Sequence, residues 1–235
     1  MSTLEMERRH LARAVEYRAS DAGLGTLFGY ASVYNRYSQN LGGFVEQVSP
    51  GAFAKSIGDR VAVVARYNHD DNYLLGTTEA ETLRLLDDAT GLGYEVDLPD
   101  TTSGRDVSVL SKRGDLRYSS FAFRTLEDEW GVTEQGFPLR TLRSVLLLDV
   151  APVNSPAYLD SSAGVRSLAH RLDVDVDVVS HATTEELRSL ILGEPIDLPA
   201  VEARAEETLE QVEDAQGDTH AFDLARRRLE LEKLR

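Results

Sequence analysis

Residues 83–98, LRLLDDATGLGYEVDL, contain two apolar runs on either side of a polar turn. The second run, residues 92–98, alternates apolar and polar side chains, which is typical of a half-buried strand. The intervening residues 87–91 are rich in side chains that tolerate tight backbone geometry. The stretch therefore predicts an antiparallel hairpin and indicates a β-rich fold.

Further strands are expected on both sides of this hairpin. Residues 29–34 alternate with the same period, 61–65 are continuously apolar, and 118–124 and 141–150 are also strand candidates.

Two short helices interrupt these strands. One is expected after Ser49, read as an N-cap, with Pro50 at the first helical position. The other follows residues 101–103 and is closed by Gly114. The mixture predicts an α+β fold with a mostly antiparallel β-barrel or sandwich core, a few flanking helices and a C-terminal helical tail.

The composition limits the class of protein. The chain has 235 residues, a formal net charge of −15 and no cysteine. Its acidity argues against a general affinity for nucleic acid, no apolar run could span a bilayer, and the N-terminal residues lack a signal peptide's apolar region. Without cysteine there is no disulfide framework and no thiolate nucleophile, so we expect an intracellular protein whose nucleophile is Ser, Thr, Lys or a carboxylate.

The charge is unevenly distributed along the chain. Residues 172–223 carry 15 acidic groups against two arginines, whereas the last twelve residues are basic. We therefore predict a folded domain over residues 1–170, an acidic linker over 171–182, and an acidic helical tail with a basic tip over 183–235.

The linker and tail carry their own local signals. Residues 173–178 alternate aspartate and valine, which suits an edge strand or, as the favoured interpretation, an extended linker. Thr183 and Glu186 have capping-box spacing, and Gly193 ends that helix. Two further helices are expected, one from Pro199 and one from Thr219.

Residues 66–70, RYNHD, place a histidine directly after the apolar run 61–65. Imidazole titrates near neutral pH, and catalytic groups favour the point where a strand gives way to a loop. The alternative is a solvated turn histidine, which is the more frequent case for an isolated His-Asp pair. The neighbours Asp70 and Asp71 could suggest a metal, but adjacent residues on an extended chain point apart, so no metal or cofactor is expected.

The remaining histidines, at positions 10, 170, 181 and 220, lie in polar flanks and are expected to be solvated.

Two other segments could contribute to the same chemistry. Ser119 and Ser120 precede alternating phenylalanines, so if the phenylalanines face the core, Ser120 lies on the less buried face of its strand. Asp149 follows four apolar residues and is expected at the end of a buried strand. A buried carboxylate needs a partner, which could be a histidine, an arginine or backbone amides.

Taken together, these segments resemble the prohead maturation proteases of tailed bacteriophages, which are structurally related to the herpesvirus assembly proteases. The resemblance extends over residues 29–166. It is carried by residues 29–35, 41–46, 49–53, 68–70, 75–76, 98–101, 120–123, 150–153 and 155–158, in this order and spacing.

The resemblance implies a serine endopeptidase with Ser120 as nucleophile, His69 as general base and Asp149 as the orienting acid. Family sequences often carry glutamate in the segment that Asp149 matches, and Ser144 stands at an earlier acidic position of that strand. Ser119 stays a minor candidate for the nucleophile. Arg143 and nearby backbone amides are candidate oxyanion donors.

The resemblance also implies the biological setting. The expected substrates are the major capsid protein and scaffold segments of the prohead, and the chain itself, inside the immature shell in the host cytoplasm. A homodimer is compatible with this setting, whereas no membrane, direct nucleic-acid or cofactor partner is expected. The alternatives are a catalytically silent scaffold or capsid-assembly protein of the same fold, and a hydrolase of the same chemistry that acts on esters or another small acyl substrate.

Overall fold

The computed structural model describes residues 5–20, 23–155, 162–197, 200, 201 and 203. The chain divides into two compact units, Met1–Gly164 and Val165–Arg235. None of the helices in the described ranges is long and apolar enough to cross a membrane.

The first unit consists mainly of strands. They are β1 (Glu7–Leu11), β2 (Glu16–Arg18), β3 (Thr26–Val33), β4 (Val45–Val48), β5 (Val64–Arg66), β6 (Leu74–Thr77), β7 (Leu83–Asp87), β8 (Gly91–Asp97), β9 (Tyr118–Val132) and β10 (Pro138–Val153). The helices described before residue 156 are α1 (Ala54–Gly58) and α2 (Thr102–Arg113), and a 3-10 turn spans Tyr67–His69.

The strands form two sheets. The larger has the order β1-β9-β10-β5-β6, and β4 also pairs with β10; the smaller has the order β2-β3-β8-β7. One apolar core takes side chains from both, among them Phe123 and Leu147 from the larger sheet and Leu27 and Tyr94 from the smaller. This sandwich-like α+β arrangement fits the prediction, and the described strands do not close into a barrel. The larger sheet is mixed, because β4 and β5 run parallel to β10.

The predicted hairpin and the second predicted helix are confirmed. β7 and β8 pair antiparallel from Leu83 opposite Val96 to Asp87 opposite Leu92. A Cβ atom at Gly91 would lie 2.0 Å from the carbonyl oxygen of Ser32, so this turn requires glycine. Helix α2 begins after Thr101, whose side chain accepts from the backbone N–H of Gly104, and ends at a left-handed Gly114.

The start of the first helix differs from the prediction. Ser49 does not cap it; its Oγ donates to the carbonyl oxygen of Leu142 at 2.9 Å, which ties this turn to β10. Helix α1 begins only at Ala54, after a turn that contains Gly51 with φ +84°. The strand before the histidine is also shorter at its start than the apolar run 61–65 suggests, because β5 begins at Val64 rather than at residue 61.

The described helices after residue 161 are α3 (Ser162–Leu172), α4 (Val176–His181) and α5 (Thr184–Leu192). The extended conformation expected over residues 173–178 is wrong for the part that forms α4. Asp175 caps that helix through the N–H of Asp177, and Val178 and Val179 are buried.

Helix α5 confirms the predicted capping box of Thr183 and Glu186 and the left-handed end at Gly193. The helix expected from Thr219, most of the one expected from Pro199, and residues 156–158 lie outside the described residues.

Candidate active site

Three neighbouring strands of the larger sheet bring His69, Ser120 and Asp149 together. His69 ends the turn that follows β5, Ser120 is the third residue of β9, and Asp149 lies in β10, which runs between the other two strands. Asp149 is opposite Val64 of β5, and Ala151 of β10 is opposite Ser120. Sheet pairing therefore brings together residues that are far apart in the sequence.

The three side chains form a continuous hydrogen-bonded series. Nε2 of His69 lies 2.5 Å from Oγ of Ser120, and Nδ1 of the same ring hydrogen-bonds to Oδ1 of Asp149. A carboxylate can only accept, so the ring proton lies on Nδ1, and in the neutral ring Nε2 is left as an acceptor facing the hydroxyl. All three residues are buried, with Ser120 completely inaccessible.

The backbone that carries the imidazole is strained. Asn68 and His69 have φ values of +56° and +58°, a left-handed conformation that is uncommon outside glycine. Oδ1 of Asn68 accepts from the backbone N–H of Asn154 at 3.0 Å, which fixes the turn to the end of β10. This contact holds the turn in the conformation that directs the His69 ring between Asp149 and Ser120.

Arg66 is a further charged neighbour of the site. One of its terminal nitrogens lies 3.2 Å from Oδ2 of Asp149 and also 3.2 Å from Oδ1 of Asp71. Asp149 therefore has both a histidine and an arginine as partners, two of the alternatives that the sequence left open. The sequence did not single out Arg66, although it stands at the strand end three residues before His69.

The neighbouring Ser119 faces the opposite side of β9. Its Oγ lies 3.1 Å from the hydroxyl of Tyr94, inside the core between the two sheets. Ser120 is therefore the serine of this pair that contacts His69.

Ser120 is not on an open face, contrary to the expectation from the alternating phenylalanines. It is 0 % exposed, and β1, which the sequence did not predict, pairs antiparallel with β9 along this stretch. His10 of β1 lies directly opposite Ser120, and Oγ of Ser120 is 2.9 Å from the backbone carbonyl oxygen of Arg9.

His10 is not a solvated side chain, so that expectation is also wrong. Its ring centroid lies 6.4 Å from that of His69, and its Nδ1 is buried with no hydrogen-bond partner among the described residues. Burial lowers the pKa of His10 to about 4, and electrostatic repulsion from the neighbouring basic side chains, including Arg9 and Arg8, acts in the same direction.

An open cleft of about 780 Å³ lies beside His69 and Asp149 but does not reach Ser120; Arg8, Arg66 and Asp71 are among its other lining residues. Arg143, a candidate oxyanion donor from the sequence, is instead paired with the carboxylate of Glu129 on the exposed surface, at 2.5 Å.

The acidic residues after His69 are engaged within the protein. Oδ1 of Asp70 accepts from the backbone N–H of Asn72 at 2.8 Å, and Asp71 is paired with Arg66. Within the described ranges, no group of three or more His, Asp or Glu side chains is arranged to hold a metal ion.

Comparisons with known proteins place the chain in a family. It is similar to the solved structure of the bacteriophage T4 capsid assembly protease, gp21, with 9% sequence identity and a TM-score of 0.43, over 63% of this chain and 96% of that chain. No curated protein matches the sequence. A family model described as caudovirus prohead serine protease matches residues 13–173, well over half of the chain, and confirms the resemblance read from the sequence. The chain belongs to the caudovirus prohead serine protease family.

Proposed function

We propose that this chain is a serine endopeptidase of the phage prohead in which Ser120 is the nucleophile, His69 the general base and Asp149 the residue that orients the histidine. The observation that carries the proposal is the continuous series of hydrogen bonds from Asp149 through both nitrogens of His69 to the hydroxyl of Ser120. Membership of a family of prohead serine proteases supports the same reaction.

The first half of the reaction needs an activated hydroxyl, because a neutral serine attacks a peptide carbonyl poorly. As Oγ of Ser120 bonds to the carbonyl carbon, its proton moves to Nε2 of His69, 2.5 Å away. The imidazole becomes a cation, and the adjacent carboxylate of Asp149 stabilises that charge while it keeps the other ring proton on Nδ1.

The second half returns the proton. His69 gives the proton on Nε2 to the departing amine, which leaves an acyl group on Ser120. A water molecule then attacks the acyl carbon, His69 accepts the water proton, and Oγ of Ser120 recovers a proton as the acid product leaves. Arg66 bonds to Oδ2 of Asp149 and so fixes the carboxylate whose Oδ1 faces His69.

The proposed substrates are scaffold segments and the major capsid protein of the immature prohead, together with the chain itself. The family provides this setting, and the T4 structure to which the chain is similar is named as a capsid assembly protease. The acidic C-terminal region, which we treat as a tail distinct from the protease domain, is proposed to bind scaffold or capsid protein and to be removed by proteolysis.

The test is cleavage of co-expressed capsid and scaffold proteins from the same phage. We expect the native chain to cleave them and Ser120→Ala to leave them intact. Ser119→Ala is the matched control, because Ser119 contacts Tyr94 rather than His69, and it should keep the cleavage pattern. Cleavage by Ser120→Ala would refute the nucleophile assignment, and absence of cleavage by the native chain would favour the silent scaffold alternative.

A further inference from the structure

The strand β1 lies along the edge of β9 that carries the proposed nucleophile. The antiparallel register sets Arg9 opposite Phe121, His10 opposite Ser120 and Leu11 opposite Ser119. Among the described strands, β1 is the outermost on this side of the sheet. It also precedes the part of the chain that the family model matches, which begins at residue 13. β1 is thus an edge strand next to the proposed active site, outside the matched region.

The backbone of β1 competes with His69 for the proton of the nucleophile. Oγ of Ser120 lies 2.5 Å from Nε2 of His69 and 2.9 Å from the carbonyl oxygen of Arg9. A hydroxyl has one proton to donate, so a bond to Arg9 is made at the expense of the bond to His69. Activation of Ser120 requires the proton to move to His69, which the Arg9 contact opposes.

The same strand excludes substrate. Ser120 is 0 % exposed, so no carbonyl carbon of another peptide can reach its Oγ while β1 is in place. An extended peptide that adds to a sheet edge is recognised through main-chain hydrogen bonds and would occupy the position that β1 holds. β1 already presents a backbone carbonyl, that of Arg9, next to Ser120.

We propose that the edge of β9 over residues 119–123 is the binding edge for an extended peptide substrate, and that β1 occupies it as a built-in substrate-like strand that keeps Ser120 unreactive until β1 is displaced. This inference rests on the proposed function, because it assigns the substrate edge of the same site.

Charged side chains hold β1 in this position. Nε of Arg9 lies 2.7 Å from Oε1 of Glu46, and Glu7 pairs at 2.7 Å with both Arg9 and Arg140. The buried Nδ1 of His10 weakens this attachment. It lacks a hydrogen-bond partner among the described residues and would be hydrated if β1 left the edge. With β1 in place, the site therefore combines ion pairs that attach the strand with one buried polar atom that lacks a hydrogen bond. This combination is expected of a strand that can be displaced.

A reversible covalent lock tests the proposal on the full chain. The sequence has no cysteine, so Arg8→Cys with Ala122→Cys introduces a single pair at positions that lie directly opposite each other on β1 and β9. The readout is the rate at which a fluorophosphonate probe labels Ser120, measured with the disulfide formed and after its reduction. The matched control is Arg84→Cys with Glu95→Cys, opposite residues on β7 and β8 in the other sheet.

We expect labelling of the oxidised β1–β9 pair to be at least about tenfold slower than that of the reduced form, because only the reduced form can open. The control pair should label equally fast in both states. Equal rates in the two states of the β1–β9 pair would overturn the inference while leaving the serine chemistry intact. A reduced form that does not label at Ser120 would overturn the proposed function, and the inference with it.

A second lock covers the case in which the first pair fails to fold. Leu11→Cys with Ser119→Cys joins the same strands at another pair of opposite residues. The same slow labelling in the oxidised form is expected, and equal rates in the oxidised and reduced forms would again overturn the inference.

Discussion

Oδ1 of Asp149 accepts a hydrogen bond from Nδ1 of His69, although the two residues are 80 positions apart in the sequence. The contact forms because β10 runs parallel to β5 with Asp149 opposite Val64, five residues before His69. It determines which ring nitrogen carries the proton and therefore leaves the other nitrogen available to Ser120. The orientation of the imidazole is thus set by sheet pairing rather than by its sequence neighbours.

Asp149→Asn should lower kcat by about 10³- to 10⁴-fold with little change in folding. An amide can present its NH₂ to Nδ1, which favours the ring tautomer that carries its proton on Nε2 and cannot accept one from Ser120. The measurement is kcat on a prohead-derived protein substrate, with the thermal midpoint as the check on folding. A variant that keeps kcat within tenfold of the native value would contradict the orienting role.

Arg66→Gln should lower kcat by about 10- to 100-fold and leave KM nearly unchanged, because Arg66 positions the carboxylate of Asp149 and is not proposed to hold substrate. Arg66→Lys, which keeps the charge, should recover part of the loss. Arg143→Gln is the matched control, since Arg143 bonds to Glu129 on the exposed surface. If Arg143→Gln lowers kcat as much as Arg66→Gln does, the assignment of Arg66 is wrong.

Arg140→Gln should destabilise the first unit by about 3–5 kcal/mol, because it leaves buried carboxylates without their partner. Arg140 is 1 % exposed and binds Glu7 at 2.7 Å, Glu46 at 3.0 Å and Asp128 at 2.6 Å. Burial by itself would raise the pKa of Glu7, yet the charges of Arg140 and Arg9 hold it below the ordinary value. The free energy of unfolding, measured in denaturant, checks this prediction.

The control for Arg140 is an exposed ion pair. Arg84→Gln removes a bond to Asp97 at 2.8 Å from a side chain that is 41% exposed, so it should cost about 1 kcal/mol or less. If Arg140→Gln and Arg84→Gln lower the free energy of unfolding by similar amounts, the buried cluster contributes no more stability than an exposed ion pair.

The stability of the native chain should fall as the pH drops, in part because of His10. Its pKa is lowered from 6.5 to about 4 in the folded protein, so the unfolded chain binds more protons than the folded chain between these values. Stability from this source is fully present above the ordinary pKa and is lost progressively as the pH falls through that window.

The variant His10→Gln isolates this effect, because glutamine does not titrate. Between about pH 7 and pH 5 it should lose about 1 kcal/mol less unfolding free energy than the native chain, after allowance for solvent screening. Denaturant unfolding at the two pH values is the measurement. Equal losses for the native and variant chains would show that His10 is not held neutral by the fold.

Local sequence patterns identified the elements whose signals lie within a few residues. The hairpin of β7 and β8, helix α2 with its Thr101 cap, and the capping box at Thr183 all depend on neighbours in the sequence. Ser49 shows where such local patterns fail. Serine often caps helices, but the hydroxyl of Ser49 donates to the carbonyl oxygen of Leu142, almost a hundred positions away.

The burial of Ser120 could not be predicted from the sequence, because it also depends on residues that are distant in the chain. β1 reads as five largely charged residues, a composition with no strand signal. It joins the sheet because Arg9 forms an ion pair with Glu46 and Glu7 forms one with Arg140. Both partners come from other parts of the chain. Alternation along β9 correctly separates Ser119 from Ser120, but it cannot show which residues from distant parts of the chain contact each of them.

The proposal that His69 activates Ser120 is tested most directly by a covalent adduct. The measurement shows which residue carries the adduct and whether its formation requires His69. The native chain, incubated with an organophosphonate until labelling is complete, would be digested and examined by mass spectrometry. If His69 activates Ser120, one adduct should form, on Ser120; it should be absent from Ser120→Ala and strongly reduced in His69→Gln. An adduct on Ser119, or undiminished labelling of Ser120 in His69→Gln, would contradict it.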